Sequence, residues 1–293
     1  MSSASAPRSA ISIRRARPED AAACGRICHQ AFHKINTDHN FPPDLPSVEA
    51  GTQVIASCFS HPCFYSVVAE ADGLILGSNC MDERGAIAGI GPITVDPATQ
   101  NQGVGRELME AVLGRAREKN FAGVRLVQAA FHNRSLSLYT KLGFDAKEPL
   151  SVMQGPAIGQ LIDGYRVRAA QTADLEACNR VCQQVHGHDR SGELADAIGQ
   201  GSARVVERNG RITGYTSALA FFGHSEAESN ADLEALIAAA DGFGGPGFLV
   251  PTRNSALFRW CLANGLRVVQ PMTLMSVGLY NEPKGAFLPS ITY

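Results

Sequence analysis

Apolar and charged residues alternate from Ile11 to Arg15, the period of a half-exposed strand. Arg17-Pro18-Glu19-Asp20 then puts proline and acids where a helix starts, so a helix is expected over 21–33. Residues 36–46 hold Pro42, Pro43 and Pro46 and are expected as loop, followed by a helix over 48–59. Strands over 64–69 and 74–79 flank Asp72-Gly73, a hairpin signal, and a third over 86–95 is interrupted at Gly91-Pro92. An amphipathic helix over 103–119 is followed by a strand over 124–129, a helix over 135–142 closed by Gly143, and a strand over 151–153. This order predicts an α/β protein with a mixed, mostly antiparallel sheet flanked by helices.

The pattern then recurs. Ala16, Asp20, Ala23, Cys24, Arg26, Cys28 and Gln30 match Ala170, Asp174, Ala177, Cys178, Arg180, Cys182 and Gln184 at a constant offset of 154. Such self-similarity implies a duplicated domain. The second copy opens with a strand over 165–168 and a helix over 174–186, with further strands over 203–206 and 212–219 around Asn209-Gly210. The expected division is a frayed terminus over 1–10, one domain over 11–155, a linker near 155–164 and a second domain over 165–293.

Composition narrows the chemistry. A net charge of −2 and a 45% hydrophobic content fit a packed protein with no field that would draw in nucleic acid or an anionic membrane. No apolar run approaches the roughly 20 residues of a membrane helix, and 1–10 lack a secretion signal. The eight cysteines are therefore expected as free thiols in a cytoplasmic protein, with Cys24/Cys28 and Cys178/Cys182 each on one face of a helix as small apolar residues. No metal site is expected, because no histidine or carboxylate completes a matching set.

The most informative stretch is Ile93 to Leu108, ITVDPATQNQGVGREL. A β run ends at Val95 and a helix begins near Gly103, with Gln100-Asn101-Gln102-Gly103-Val104-Gly105 between. Free N–H groups at a helix start favour an anion, glycines let a pyrophosphate approach the backbone, and Arg106 adds a cation. A Rossmann reading fails, since Leu108 stands where a third glycine is needed. Asn133-Arg134-Ser135-Leu136-Ser137-Leu138-Tyr139-Thr140-Lys141-Leu142-Gly143-Phe144 follows the next β run.

Together these two segments resemble the pyrophosphate loop and the N-x-x-S-x-x-L-Y-x-x-x-G-F segment of the GNAT superfamily of acyl-CoA-dependent N-acetyltransferases. The resemblance implies two tandem GNAT-like domains, each with a splayed central strand pair, and acetyl-CoA as co-substrate. It implies that Gln100, Asn101 and Gly103, Val104, Gly105 and Arg106 hold the pyrophosphate, and that Ile93, Thr94 and Val95 pair with pantetheine. Asn133 would bond the cofactor arm, and Tyr139 would protonate the leaving thiolate. The implied reaction moves acetyl to a primary amine, of a small molecule or a peptide, by direct attack in a ternary complex. No acid lies on 87–94, where the family often places its base. Asp82, Glu83, His132 or a water relay are the candidates, and a non-catalytic acyl-CoA sensor is the alternative. A homodimer is left open.

The second copy has Phe222-Gly223-His224-Ser225-Glu226-Ala227-Glu228-Ser229-Asn230 where a glycine loop is due. The run over 254–267 resembles the Asn133 segment, with Cys261 opposite Tyr139 when Gly265 is set on Gly143. It is expected to be a degenerate GNAT-like domain, with His224, Glu226 and Glu228 in a solvated loop whose acids would repel phosphate.

Overall fold

The computed structural model describes residues 10–293, so all but Ala10 of the terminus expected to fray lies outside the described residues. The first half runs β1 (Ser12–Arg15), α1 (Ala21–Asp38), α2 (Val48–Ser60), β2 (Phe64–Ala71), β3 (Leu74–Asp82), β4 (Ile87–Val95), α3 (Val104–Glu118), β5 (Gly123–Ala129), α4 (Asn133–Lys141) and β6 (Asp145–Gln154). The second runs β7 (Tyr165–Ala169), α5 (Leu175–His186), α6 (Ser191–Gly199), β8 (Arg204–Arg208), β9 (Arg211–Thr216), β10 (Ser225–Ala227), α7 (Asn230–Ala238), β11 (Phe248–Pro251), α8 (Ser255–Ala263), β12 (Arg267–Gly278) and β13 (Ala286–Leu288). No regular element lies between β6 and β7. Among the described residues, no helix is long and apolar enough to cross a membrane.

Two elements outrun the sequence pattern. α1 continues five residues past 33 because Asn36, buried at its last turn, donates from Nδ2 to the Pro42 carbonyl at 3.0 Å and closes the proline-rich loop. β6 is ten residues long rather than three, because both its edges are paired: antiparallel to β11 on one side and to β12 on the other.

The sheets follow from those pairings. One has eight strands in the order β1-β2-β3-β4-β5-β12-β6-β11, and the other five in the order β13-β10-β9-β8-β7. The halves are thus interlocked. β12, the closing strand of the second half, covers the edge of β5 from Ala129↔Met272 to Gly123↔Gly278, while β6 of the first half runs beside β11. The duplication is visible in matched constellations. Asp20 accepts from Arg14 and from the Arg17 N–H, with Glu70 on the other edge of Arg14. Asp174 accepts likewise from Arg168 and the Gln171 N–H, with Glu207 on Arg168. Each set ties a first strand to the entry of a first helix and holds its aspartate below the usual carboxylate range, chiefly through the arginine bond. The paired cysteines of α1 and α5 are buried in apolar clusters, and burial raises their thiols.

One feature of the large sheet positions everything else. β4 and β5 run parallel and pair only from Ile87↔Gly123 to Ile90↔Leu126. Beyond that, Gly91 and Pro92 bulge out together opposite Cys80 of β3, and the two strands part.

Candidate functional site

A cavity of about 590 Å³ opens where β4 and β5 separate. Its walls are Ile90 to Val95 of β4, Leu126 to Ala129 of β5, the loop before α3, and the cavity faces of α1 and α4. A volume of this order accommodates a drug-sized ligand.

At one end stands the glycine-rich loop. Asn101 and Gly103 both adopt the left-handed region, at φ +66° and +93°, which asparagine tolerates and glycine adopts freely. This turns the chain so that α3 begins at Val104 with its first amides bare. After Thr99, the first backbone N–H to find a partner among the described residues is that of Arg106, which donates to Gly103 O at 2.9 Å. A Cβ at Gly105 would stand 3.6 Å from Leu138 and 3.7 Å from Val95, both cavity residues, and its extension would enter the cavity. Arg106 is exposed and 3.2 Å from Glu110, and Arg134 donates to Gln100 Oε1 at 2.9 Å, so two guanidiniums border the bare amides. The arrangement fits a pyrophosphate: unpaired donors, a helix N-terminus and mobile cations.

Ile93, Thr94, Val95, Gln100, Asn101, Gly103, Val104, Gly105, Arg106 and Tyr139 all line this one cavity. Asn133 is exposed at the start of α4 and outside the lining; its neighbours Arg134 and Ser135 line it instead. Tyr139 is buried on α4 against Phe144, with ring centroids 6.2 Å apart, and its phenol has no hydrogen-bond partner among the described residues. Burial pushes its pKa up, so it stands as a neutral phenol, able to donate.

The candidate bases separate cleanly. Asp82 is paired with Arg84 at 2.6 Å and Glu83 with Arg115 at 2.8 Å, and neither lines the cavity. Both came from a turn whose arginine partners lie on other stretches of the chain or beside it, which spacing alone did not reveal. His132 does line the cavity, and burial, with help from Arg134 and His39, lowers it to about 4. It is neutral at pH 7 but a weak base.

Several lining residues carried no motif. Asp44 and Leu45 come from the α1–α2 loop, which packs over the site through stacking of Phe41 on Phe131 at 4.3 Å. Gln128 of β5 accepts from Ser135 Oγ at 3.0 Å, leaving its buried Nε2 without a partner. Phe221, Phe222, Met272, Ile291 and Thr292 come from the second half. The last segment is fixed there by the Ile291 N–H, which donates to Phe221 O at 2.8 Å, and it lies so close to β4 that a Cβ on Gly89 would collide with the Thr292 carbonyl.

The matching place in the second half is filled. β13 pairs antiparallel with β10, Glu226 opposite Phe287, and packs against β11 through Leu288 and Phe248. The chain itself thus lies between β10 and β11. Glu226 on β10 and His224 just before it are buried instead of lying in a solvated loop, while Glu228 is paired with Arg211 at the rim. The reason is a polar network. Tyr215 donates to Glu226 Oε2 at 2.9 Å, His224 Nε2 lies 2.7 Å from Oε1, and His186 Nε2 lies 3.5 Å away. His186, His224 and Glu226 are near enough to suggest a metal cage. The 2.7 Å spacing is that of a hydrogen bond, however, whereas ligands of a tetrahedral zinc stand about 3.3 Å apart. Burial, with the nearby Arg125, lowers His186 and His224 well below their usual range, so the network holds neutral imidazoles around one carboxylate. Cys261, opposite Tyr139, is buried on α8, and the helix ends match: Phe144 N–H donates to Tyr139 O at 3.0 Å, and Leu266 N–H to Cys261 O at 3.1 Å.

The model of the acetyltransferase (GNAT) family matches residues 30–144. A stretch of 63 residues is 38% identical to the mycothiol acetyltransferase of Nocardia farcinica, covering 22% of this chain and about a fifth of that relative (21%). Among solved structures, a candidate acetyltransferase from Pyrococcus horikoshii superposes with a TM-score of 0.74 at 19% identity, covering 94% of both chains. A GCN5-related N-acetyltransferase from Sphaerobacter thermophilus gives 0.61 at 14% identity, over 93% of this chain and 96% of that one. At these identities the two structures speak to the fold alone, and they share it over both halves. The match to the acetyltransferase (GNAT) family model thus lies within the first half, and the fold is shared with acetyltransferase structures over both halves.

Proposed function

We propose that this protein is an acetyl-CoA-dependent N-acetyltransferase that carries acetyl to a primary amine, with one working site, between β4 and β5. The observation that carries the reading is the single cavity in which bare amides at the start of α3, the parted edge of β4 and the phenol of Tyr139 meet. The amides of Gln100 to Gly105, with Arg106 and Arg134 beside them, would bind the pyrophosphate. The inner edge of Ile93 to Val95 would pair with the pantetheine amides, as β13 pairs with β10 in the other half. The neutral amine attacks the thioester carbonyl directly, the C–S bond breaks as Tyr139, kept protonated by its burial, donates to the departing sulfur, and the proton lost by the new amide nitrogen passes through water to restore the phenol. Asn133, outside the cavity lining, is the weakest member of the set expected from the resemblance. The ten cofactor contacts and the domain division at 155–164 are part of this proposal.

The test is binding first and turnover second. Acetyl-CoA should raise the melting temperature by mass action, and NAD or ATP should leave it unchanged. Thiol release from acetyl-CoA with a panel of amines should then separate an enzyme from an acyl-CoA sensor, for which every amine would be inert. Equal stabilisation by NAD would defeat the assignment.

A further inference from the structure

The wall of the cavity where the two halves meet has its own character. Cys28 and Phe32 of α1 and Leu45 of the following loop face Phe221, Phe222, Met272 and Ile291 of the second half. Among the described residues, two carboxylates line the cavity, Asp38 and Asp44. Asp38 is exposed and already held by Lys34 at 2.8 Å. Asp44 has no cationic partner among the described residues. Its carboxylate accepts from Gln270 Nε2 at 2.6 Å and from the Asn36 side chain, both neutral amides. Gln270 is itself buried, on β12 of the other half, so the carboxylate is fixed at the seam between the two halves.

Resting on the proposed activity, we propose that Asp44 is the anchor for the acceptor: it pairs with the ammonium of a small organic amine and takes up its proton, leaving the neutral nitrogen free to attack, while the apolar or aromatic body lies between Phe32, Leu45, Phe222, Met272 and Ile291. A carboxylate in such surroundings is unfavourable unless it is hydrogen-bonded and paired. Two amides supply the bonds and leave its charge unanswered, so an incoming ammonium is the partner the site lacks. Burial accordingly raises Asp44 above the usual carboxylate range, as expected of a group waiting for a cation. Lys34, a lining cation from the same stretch of α1, is already engaged by Asp38. Size argues in the same direction, since about 590 Å³ must also admit the acyl-pantetheine arm, which leaves room for a small amine and none for a folded polypeptide surface.

The experiment uses the full chain, with 2-phenylethylamine, hexylamine, glycine and glutamate as acceptors and thiol release as readout. Wild type should favour the first two, and 2-phenylethylamine should raise the melting temperature of the CoA-bound protein. Asp44→Asn, which keeps both amide neighbours, should lower kcat/KM for 2-phenylethylamine by about 10- to 100-fold, the value of one charged hydrogen bond, with acetyl-CoA affinity unchanged. Phe222→Ala, at an exposed position, should weaken 2-phenylethylamine more than hexylamine and decides the question should Asp44→Asn not fold. Preference for glutamate or glycine, an unaltered kcat/KM in Asp44→Asn, or acetyl-CoA binding with no apolar amine accepted would each overturn the anchor while sparing the cofactor site. Failure of acetyl-CoA to bind wild type would instead overturn the activity on which the anchor rests.

Discussion

The two halves keep the same framework and treat the space between their central strands in opposite ways. In the first, β4 and β5 part at Gly91 and the gap becomes a cavity. In the second, the gap between β10 and β11 is occupied by β13 of the same chain. What survives duplication is local and geometric: the Arg14–Asp20–Glu70 set and its copy Arg168–Asp174–Glu207, and the matched ends of α4 and α8. What differs is a handful of residues at the slot. A glycine turn with bare amides has given way to the short Glu228-Ser229 link between β10 and α7, and a phenol to the thiol of Cys261. Scaffold and slot are therefore separable in this fold: the sheet framework is kept in both halves, while the slot is open in the first and filled in the second.

The most severe way to break the comparison is to separate its members. Ending the chain after Gly164 removes β12 from the edge of β5 and β11 from β6, leaving long apolar edges bare, and the product should aggregate. A soluble monomer that still acetylates would mean that β6 closes onto β5 on its own, and that the second half is dispensable.

Next in size is blockage of the first slot. Gly105→Trp drives a ring between Val95 and Leu138, so the thermal shift with acetyl-CoA should vanish from a protein that still folds. Titration of wild type should give one acetyl-CoA per chain. Two would show that β13 yields to the ligand, and retained binding in Gly105→Trp would move the cradle elsewhere.

A third test sets Tyr139 against its counterpart. Tyr139→Phe keeps the ring and deletes the donor, so kcat should fall by about 10²–10⁴ with acetyl-CoA affinity little changed. Cys261→Ala should leave kcat alone, since that side chain is in the core. An intact kcat in Tyr139→Phe would assign the proton to another donor.

The smallest effect is one of pH. His188 is lowered to about 4, as is His132, and His186 and His224 lie well below the usual range, all chiefly by burial. Below the unfolded pKa of about 6.5 the unfolded chain takes up protons that the folded chain refuses. Stability should therefore be full above pH 6.5 and decline as pH falls toward 4. Three of these four histidines are in the second half, and so is the single tryptophan, Trp260. Urea unfolding followed by tryptophan fluorescence at pH 7, 6 and 5 should show the midpoint retreating; a flat series would mean that the imidazoles are charged or reach water.

Much of this was legible in sequence because its causes are local. Turn chemistry at Asp72-Gly73, helix entry at Pro18 and the helix start near Gly103 act within a few residues, and the elements they predict are present. The repeat at an offset of 154 signalled the duplication for the same reason. What stayed hidden depends on residues remote in the chain. Nothing near Asp44 announces a partner 226 positions away in Gln270. Glu83 reads as a candidate base because its partner Arg115 is 32 positions away, whereas the partner of Asp82, Arg84, is two positions away and stays hidden because spacing does not show which way a side chain turns. Glu226 and His224 read as a polar loop because a charged pair looks solvated unless the tyrosine and second histidine that bury with it are known. The exchange of β6 and β12 left no local mark at all.

That exchange also governs how the chain is made. β5 is complete once the ribosome has passed Ala129, yet its outer neighbour starts only at Arg267. At ~5–20 residues per second, synthesis of the intervening stretch lasts on the order of ten seconds. Throughout that interval the nascent first half must either keep β5 uncovered or cover it with β6 and later give it up. The order of synthesis thus separates two neighbours that the finished sheet places side by side.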